Sequence, residues 1–226
     1  IENVVGSNFD DTFKSHFTRD NSFDGYGVDN DGNTVDYSSL VVDDATEDFV
    51  RIDLTGNGLV YLDTALSATD TYTNIQNIIG TDGNDTISGD SGVNTLSGGS
   101  GNDTLSGKGG KDYLDGGLGN NTVDYDYTTG GVEVDFKVGL GYVNAGDQDT
   151  LVNVQNAIGG SGQDRFKMAT GATANIIDGN SNSGNSVSYE YYTAGVAVDL
   201  GTESSQEVVT GDWDTLIDIQ NIKGGE

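Results

Sequence analysis

Asp85, Asn94, Asp103, Asp112 and Asn121 stand nine residues apart, each in a nonapeptide with glycine at its first and fourth positions. The five segments read GTDGNDTIS from Gly80, GDSGVNTLS from Gly89, GGSGNDTLS from Gly98, GKGGKDYLD from Gly107 and GGLGNNTVD from Gly116. Carboxylate and amide side chains supply hard oxygen donors. Glycine tolerates positive φ, so its backbone can turn a carbonyl toward the same point. A site made only of oxygens, numerous and flexible, suits Ca²⁺ over Mg²⁺ or Zn²⁺. The candidate ligands are Gly80, Asp82, Gly83, Asp85, Asn94, Gly98, Gly99, Gly101, Asp103, Gly107, Gly110, Asp112, Gly116 and Asn121.

Elements must bring these oxygens together. Each nonapeptide opens with six turn-like residues and closes with three that carry one large apolar side chain: Ile87, Leu96, Leu105, Leu114 or Val123. Three residues make a short strand whose middle side chain faces one way. If two nonapeptides complete a coil, repeat n lies over repeat n+2 at a strand spacing of about 4.8 Å. Asp85 then lies over Asp103. Two carboxylates about 5 Å apart repel by roughly 3 kcal/mol at an effective dielectric near 20. A cation between the loops reverses that cost. Asp85 with Asp103 is expected to make the best site. Asn94 with Asp112, and Asp103 with Asn121, lose one charge each and are expected to bind less tightly. Gly109 and Leu118, at the third position, offer only backbone, and Lys108 and Lys111 weaken their loop.

A longer repeat surrounds the nonapeptides. IENVVG, NIQNIIG, NVQNAIG and DIQNIKG end at Gly6, Gly80, Gly159 and Gly224. Between them recur VDY or VSY (at Tyr37, Tyr125 and Tyr189), then VRIDL, VEVDF and VAVDL, then Asp-Thr at Asp70, Asp149 and Asp214. Three tandem units follow, 1–80, 81–159 and 160–226, with the continuous nonapeptides at 80–124. Apolar runs are short, rich in Val, Ile, Tyr and Phe, and bounded by Gly, Asn or Asp, which is strand chemistry. The expected fold is all-β: an elongated right-handed parallel β-roll or β-helix solenoid. VDY and VxVDL strands widen the coil or form side sheets. SHFTRD (15–20) and the stretch near Ala45 are the places for a single helical turn. The asparagines of the NIQN motifs are expected to form hydrogen-bonded ladders along the coil.

The nonapeptides resemble the calcium-binding repeats-in-toxin (RTX, hemolysin-type) family, whose pattern is G-G-x-G-x-D-x-U-x with U a large apolar residue. GGSGNDTLS fits every position. Gly159–Lys167 is a further complete match and Gly6–Phe13 a partial one, which adds Asp164 and Asp11 as ligands. The longer unit resembles linker repeats of large type I-secreted proteins. The resemblance implies a parallel β-roll, folding driven by Ca²⁺, and a secreted, extracellular or cell-surface location.

Composition agrees. Nine Lys and Arg stand against 37 Asp and Glu, a net charge of −28. No basic stripe exists to bind nucleic acid. No run of 18 apolar residues inserts into a membrane. Cysteine is absent, which removes disulfides and thiolate sites. The chain opens on Ile1 inside a repeat and is expected to be a piece of a longer protein.

Other constellations read more plainly. Asp20-x-Ser22-x-Asp24 with Asp31 opens like an EF-hand loop, yet Gly27 occupies its apolar position, so a turn is expected. Asp178-Asn180-Asn182 is oxygen-rich. Asp147, Asp149, Asp212 and Asp214 are expected to cap turns, with metal ligation as the other reading. His16 has no catalytic partner in sequence. Tyr189, Tyr191, Tyr192 and Trp213 are expected to cover the end of a β-stack, with sugar stacking as the alternative. Arginine occurs only at Arg19, Arg51 and Arg165, and no catalytic pair stands out. The function expected is a non-enzymatic structural calcium module that self-associates into a layer, fibre or adhesin stalk. The alternative is a carbohydrate-binding or polysaccharide-processing module.

Overall fold

The computed structural model describes residues 2–15, 20–27, 32–40, 49–62, 65–144, 146–171, 174–181, 183–201, 206–209 and 212–225. Among them every regular element is a strand. His16, Asp31, Asn182, Arg19 and the stretch around Ala45 lie outside the described residues.

The chain forms two compact units, Ile1–Asn121 and Thr122–Glu226. The first holds β1 (Glu2–Val5), β2 (Thr12–Lys14), β3 (Asn21–Asp24), β4 (Thr34–Asp36), β5 (Phe49–Asp53), β6 (Asn57–Leu62), β7 (Ala65–Thr73), β8 (Asn77–Ile79), β9 (Thr86–Ser88), β10 (Thr95–Ser97), β11 (Thr104–Ser106) and β12 (Tyr113–Asp115). Successive short strands alternate between two sheets, in the orders β1-β3-β7-β6-β5-β9-β11 and β2-β4-β8-β10-β12. In the nonapeptide segment the pairing is parallel. Thr86, Ile87 and Ser88 pair with Thr104, Leu105 and Ser106, and Leu96 pairs with Leu114. Repeat n therefore does stack on repeat n+2, in a parallel β-roll.

The core follows from that register. Ile87, Leu96, Leu105 and Leu114 are fully buried, as are Val35 and Ile78. Full burial of such a side chain stabilises by about 1.5–3 kcal/mol. A three-residue strand cannot hold itself, so stability grows by stacking on neighbours. The VRIDL stretch departs from the coil: β5, β6 and β7 form an antiparallel meander inserted into the parallel sheet.

The second unit holds β13 (Thr122–Asp124), β14 (Glu133–Asp135), β15 (Leu140–Asn144), β16 (Asp147–Val152), β17 (Asn156–Ile158), β18 (Arg165–Lys167), β19 (Asn175–Asp178), β20 (Ser186–Ser188), β21 (Gln206–Val209), β22 (Asp212–Ile217) and β23 (Asn221–Lys223). Its sheets run β13-β17-β19-β22-β21 and β16-β15-β14-β18-β20-β23. VEVDF again opens an antiparallel meander, β14-β15-β16. The VAVDL stretch is not a strand here, although Ala197 N–H donates to the Val208 carbonyl. Val123, Val134, Phe166, Met168, Ile177 and Val187 fill the core.

Candidate metal centre

The nonapeptide loops lie between the two sheets, so their sixth-position side chains point inward. Asp85, Asn94, Asp103, Asp112 and Asn121 are all buried. A ladder links them. Asp103 Oδ1 accepts the backbone N–H of Asp85, Asn121 Oδ1 accepts that of Asp103, and Asp112 Oδ1 accepts that of Asn94, each at 2.8 Å. Asp85 Oδ1 takes the Val50 N–H at 2.8 Å. Each carboxylate or amide thus holds the coil before it by a main-chain bond.

The second oxygen distinguishes the sites. Asp85 Oδ2 is filled by the N–H of Thr81 at 2.6 Å, and the Thr81 hydroxyl also bonds this carboxylate. Gly99 stands at the equivalent position one coil on and has no hydroxyl. Asp103 Oδ2 is buried with no hydrogen-bond partner. It lies against Gly98, where an added Cβ would come within 2.2 Å of it. Carbonyls crowd the same loops. A Cβ on Gly80 would lie 2.3 Å from the Gly98 carbonyl oxygen, and one on Gly99 2.1 Å from that of Thr81. Gly101 needs its glycine twice over: its φ is +112°, and a Cβ would sit 2.2 Å from the Gly83 oxygen. Gly107 and Gly110 repeat this arrangement, next to Asp112 Oδ2 and the Gly92 carbonyl, and Gly116 is buried at the head of the fifth nonapeptide. Asp82 is exposed and accepts the Ser100 hydroxyl across the coil at 3.0 Å.

Electrostatics sharpen the reading. Burial raises the Asp85 carboxyl to about 6. Burial, and then the Asp85 charge, raise Asp103 to about 7. No Lys or Arg pairs with either carboxylate among the described residues. Among the described residues no three His, Cys, Asp or Glu side chains cluster to hold a metal by themselves. The donor set is instead one or two carboxylates with backbone carbonyls in the same loops, all oxygen, where glycine leaves the space open. These residues fit a hard divalent cation of calcium type.

Asp164 repeats the pattern in the second unit. Its Oδ1 accepts the Val132 N–H at 2.8 Å, its Oδ2 is buried without a partner, and a Cβ on Gly159 would lie 2.3 Å from that oxygen. Asn185 Oδ1 takes the Asp164 N–H at 2.9 Å. Asp11 is more open, and its Oδ2 accepts the Ser7 N–H at 2.6 Å. The NIQN asparagines do bridge coils: Asn77 Oδ1 accepts the Thr95 N–H, and Asn156 Oδ1 accepts that of Ile176. Gln76 and Gln220 continue the ladder by accepting the N–H groups of Asn33 and Asn185.

Several expectations need correction. Asp149 and Asp214 are not turn caps. They are fully buried and accept tyrosine hydroxyls, Tyr125 to Asp149 at 3.0 Å and Tyr189 to Asp214 at 2.9 Å. Tyr37 donates to buried Asp70 at 2.7 Å in the first unit. Asp147 and Asp212 are also buried, and Asp212 accepts from Tyr192. Tyr189 and Tyr192 therefore have no face for sugar, and the Tyr191 ring lies under the Lys137 ammonium, 4.2 Å from its centroid. Trp213 remains 46% exposed. The pairing of VDY tyrosine with Asp-Thr aspartate escaped the sequence reading; its only trace was that the two motifs always occur together and in one order. Asp178 makes a local bond to the N–H of Asn180, and Asp20, just before β3, accepts the N–H of Thr69 within β7. Asp24 binds Tyr26 and Asn74.

Residues 74–105 and 88–123 match the four-copy family model of the RTX calcium-binding nonapeptide repeat. RTX nonapeptide repeats bind Ca²⁺ and are structural, and the matched segment is the one that carries the glycine-lined ladder from Asn94 to Asn121 and Asp85. No curated protein matches the chain.

Proposed function

We propose that the chain is a calcium-folded structural module of a secreted or cell-surface protein, without catalytic activity. One observation carries this reading. Inside the RTX-matched segment, Asp103 keeps a buried oxygen with no hydrogen-bond partner, in a loop where glycines hold carbonyls close. A buried polar atom without a partner costs about 1–3 kcal/mol, and a bound Ca²⁺ removes that cost. The ligands are the carboxylates and loop carbonyls named above, with Asp103 and Asp112 central and Asp164 forming a site outside the matched segment.

The charge of −28 supports the rest. Without calcium the chain repels itself and stays expanded, which suits passage through a type I secretion channel. Extracellular calcium modules have dissociation constants of roughly 10⁻⁴–10⁻³ M, so the chain folds outside the cell. The recurrence of VDY, VxVDL, Asp-Thr and NIQN supports three tandem units, 1–80, 81–159 and 160–226, which further copies extend or pair with. Circular dichroism in chelator and in millimolar calcium tests the reading, with native mass spectrometry to count ions. Equal strand content in both conditions refutes it.

A further inference from the structure

Tyr26 is the one aromatic residue among those described that adopts a left-handed backbone. Its φ is 49°, and the other non-glycine residues with positive φ are asparagine, aspartate, serine or lysine. Asparagine and aspartate tolerate that region, whereas a bulky side chain there is an outlier. Such outliers gather at ligand sites. The residue is 55% exposed, so core packing does not explain the conformation.

The ring lines a cleft of about 310 Å³ together with Asn8, Gly27 and Asn74. Three neighbouring parallel strands build it. Asn8 follows β1, Tyr26 and Gly27 follow β3, and Asn74 follows β7; β1 pairs with β3, and β3 with β7. Asp24 fixes the geometry. Its Oδ1 accepts the Tyr26 N–H at 2.9 Å and the Asn74 side-chain amide at 3.0 Å. Among the described residues nothing bonds the Asn8 side chain, and no donor reaches Asn74 Oδ1. Two amides therefore stand beside one exposed phenol ring, with spare hydrogen-bonding capacity.

That set has a definite chemistry. An aromatic face receives the C–H face of a sugar ring, and its polar tip stays wet. Amides both donate and accept, as sugar hydroxyls do. Among the described residues no Lys or Arg lines the cleft, and the Asp24 carboxylate stands beside it, so a carboxylate or phosphate is disfavoured. The volume lies at the small end of ligand pockets, which run about 300–1,000 Å³. We infer that this cleft binds a neutral saccharide, presenting one ring to Tyr26. This function goes beyond calcium folding and uses none of the calcium ligands.

The backbone supplies a clean variant. Glycine accepts φ of 49° without strain, so Tyr26→Gly removes the ring and keeps the fold. The chain in calcium is applied to an array of neutral glucan, mannan and galactan oligosaccharides beside uronic-acid oligosaccharides. At least one neutral probe is expected to bind, and Tyr26→Gly and Asn8→Ala each to weaken it tenfold or more. Tyr26→Gly keeps or raises the melting temperature, and Trp213→Ala leaves binding unchanged. Retention of uronic acids alone, of no probe, or of a neutral probe indifferent to Tyr26→Gly overturns the proposal. Circular dichroism on the same samples with and without calcium reads the calcium module separately.

Discussion

Asp103 reaches up to Asp85 with one oxygen and leaves the other inside the roll with no partner. Oδ1 accepts the Asp85 N–H at 2.8 Å, and Oδ2 is buried without a hydrogen bond. One residue thus serves the ladder that stacks the coils and offers the free oxygen that the proposed calcium site needs. Its two roles are separable by substitution.

Asp103→Asn keeps an acceptor for the Asp85 N–H and removes the charge. The variant is expected to need about tenfold more calcium to fold, a difference of roughly 1.4 kcal/mol. Asp103→Ala removes the acceptor too, and leaves a buried N–H without a partner, at about 1–3 kcal/mol. Calcium titrations of folding, with urea melts at saturating calcium, separate the two. Equal calcium requirements for Asp103→Asn and the parent would place the ion elsewhere.

Acid has opposite effects with and without calcium. The folded carboxyls of Asp85 and Asp103 sit at about 6 and about 7, above the ordinary aspartate value. Between that ordinary value and 7 the folded state holds more protons than the unfolded one, so stability falls as pH rises. In chelator, stability is greatest at low pH and is lost as pH climbs through 6 to 7. In calcium the same protons compete with the ion, and the calcium midpoint rises as pH drops below 7. Thermal melts from pH 5 to 8 read both trends, and Asp103→Asn flattens each. A chelator profile that rises with pH contradicts the electrostatics.

Two loop glycines should answer oppositely to alanine. Gly101 has φ +112° and a Cβ there would meet the Gly83 oxygen at 2.2 Å. Gly101→Ala is expected to cost about 1–3 kcal/mol from backbone strain, with the close contact added. A Cβ on Gly109 meets only Ser91 Cα, at 3.8 Å, and its φ is not positive. Gly109→Ala is expected to be neutral or to stabilise by about 0.4–1 kcal/mol through the unfolded chain. Equal losses at both positions in calcium would mean that the loops relax freely.

The nine-residue period was enough to place Leu96 over Leu114 and Asp85 over Asp103, because an 18-residue coil is a local rule that the sequence repeats. The filling of Asp85 Oδ2 depended on a residue outside the motif's acidic position, Thr81, where the next coil has Gly99. The antiparallel meanders at VRIDL and VEVDF were harder to foresee, since alternation marks a strand without its partner. The Tyr–Asp pairs span 33, 24 and 25 residues, and no periodicity encodes such a distance. Buried aspartate also runs against the usual rule that acids seek solvent, so nothing in the local sequence distinguishes Asp149 and Asp214 from surface caps. Tyr26 gave no signal, because its left-handed backbone is invisible in DGYG.

Those Tyr–Asp pairs yield the last prediction. Asp214 is fully buried, burial raises its carboxyl to about 6, and the Tyr189 hydroxyl holds its Oδ2 at 2.9 Å. Tyr189→Phe removes that donor and keeps the ring. A buried carboxylate that loses a partner is destabilised by about 1–3 kcal/mol, so the variant should melt earlier at pH 8 than the parent. The penalty shrinks toward pH 5, where Asp214 gains a proton and no longer needs the hydroxyl. Replacing both residues, Tyr189→Phe with Asp214→Leu, removes the polar pair together and should recover part, not all, of the loss, since the buried carboxylate is gone while the Asn175 N–H that also bonds Asp214 loses its acceptor. The double-variant cycle, run in saturating calcium, isolates the coupling from ion binding. Additive losses would show that hydroxyl and carboxylate act independently, and that the motif pairing contributes packing alone.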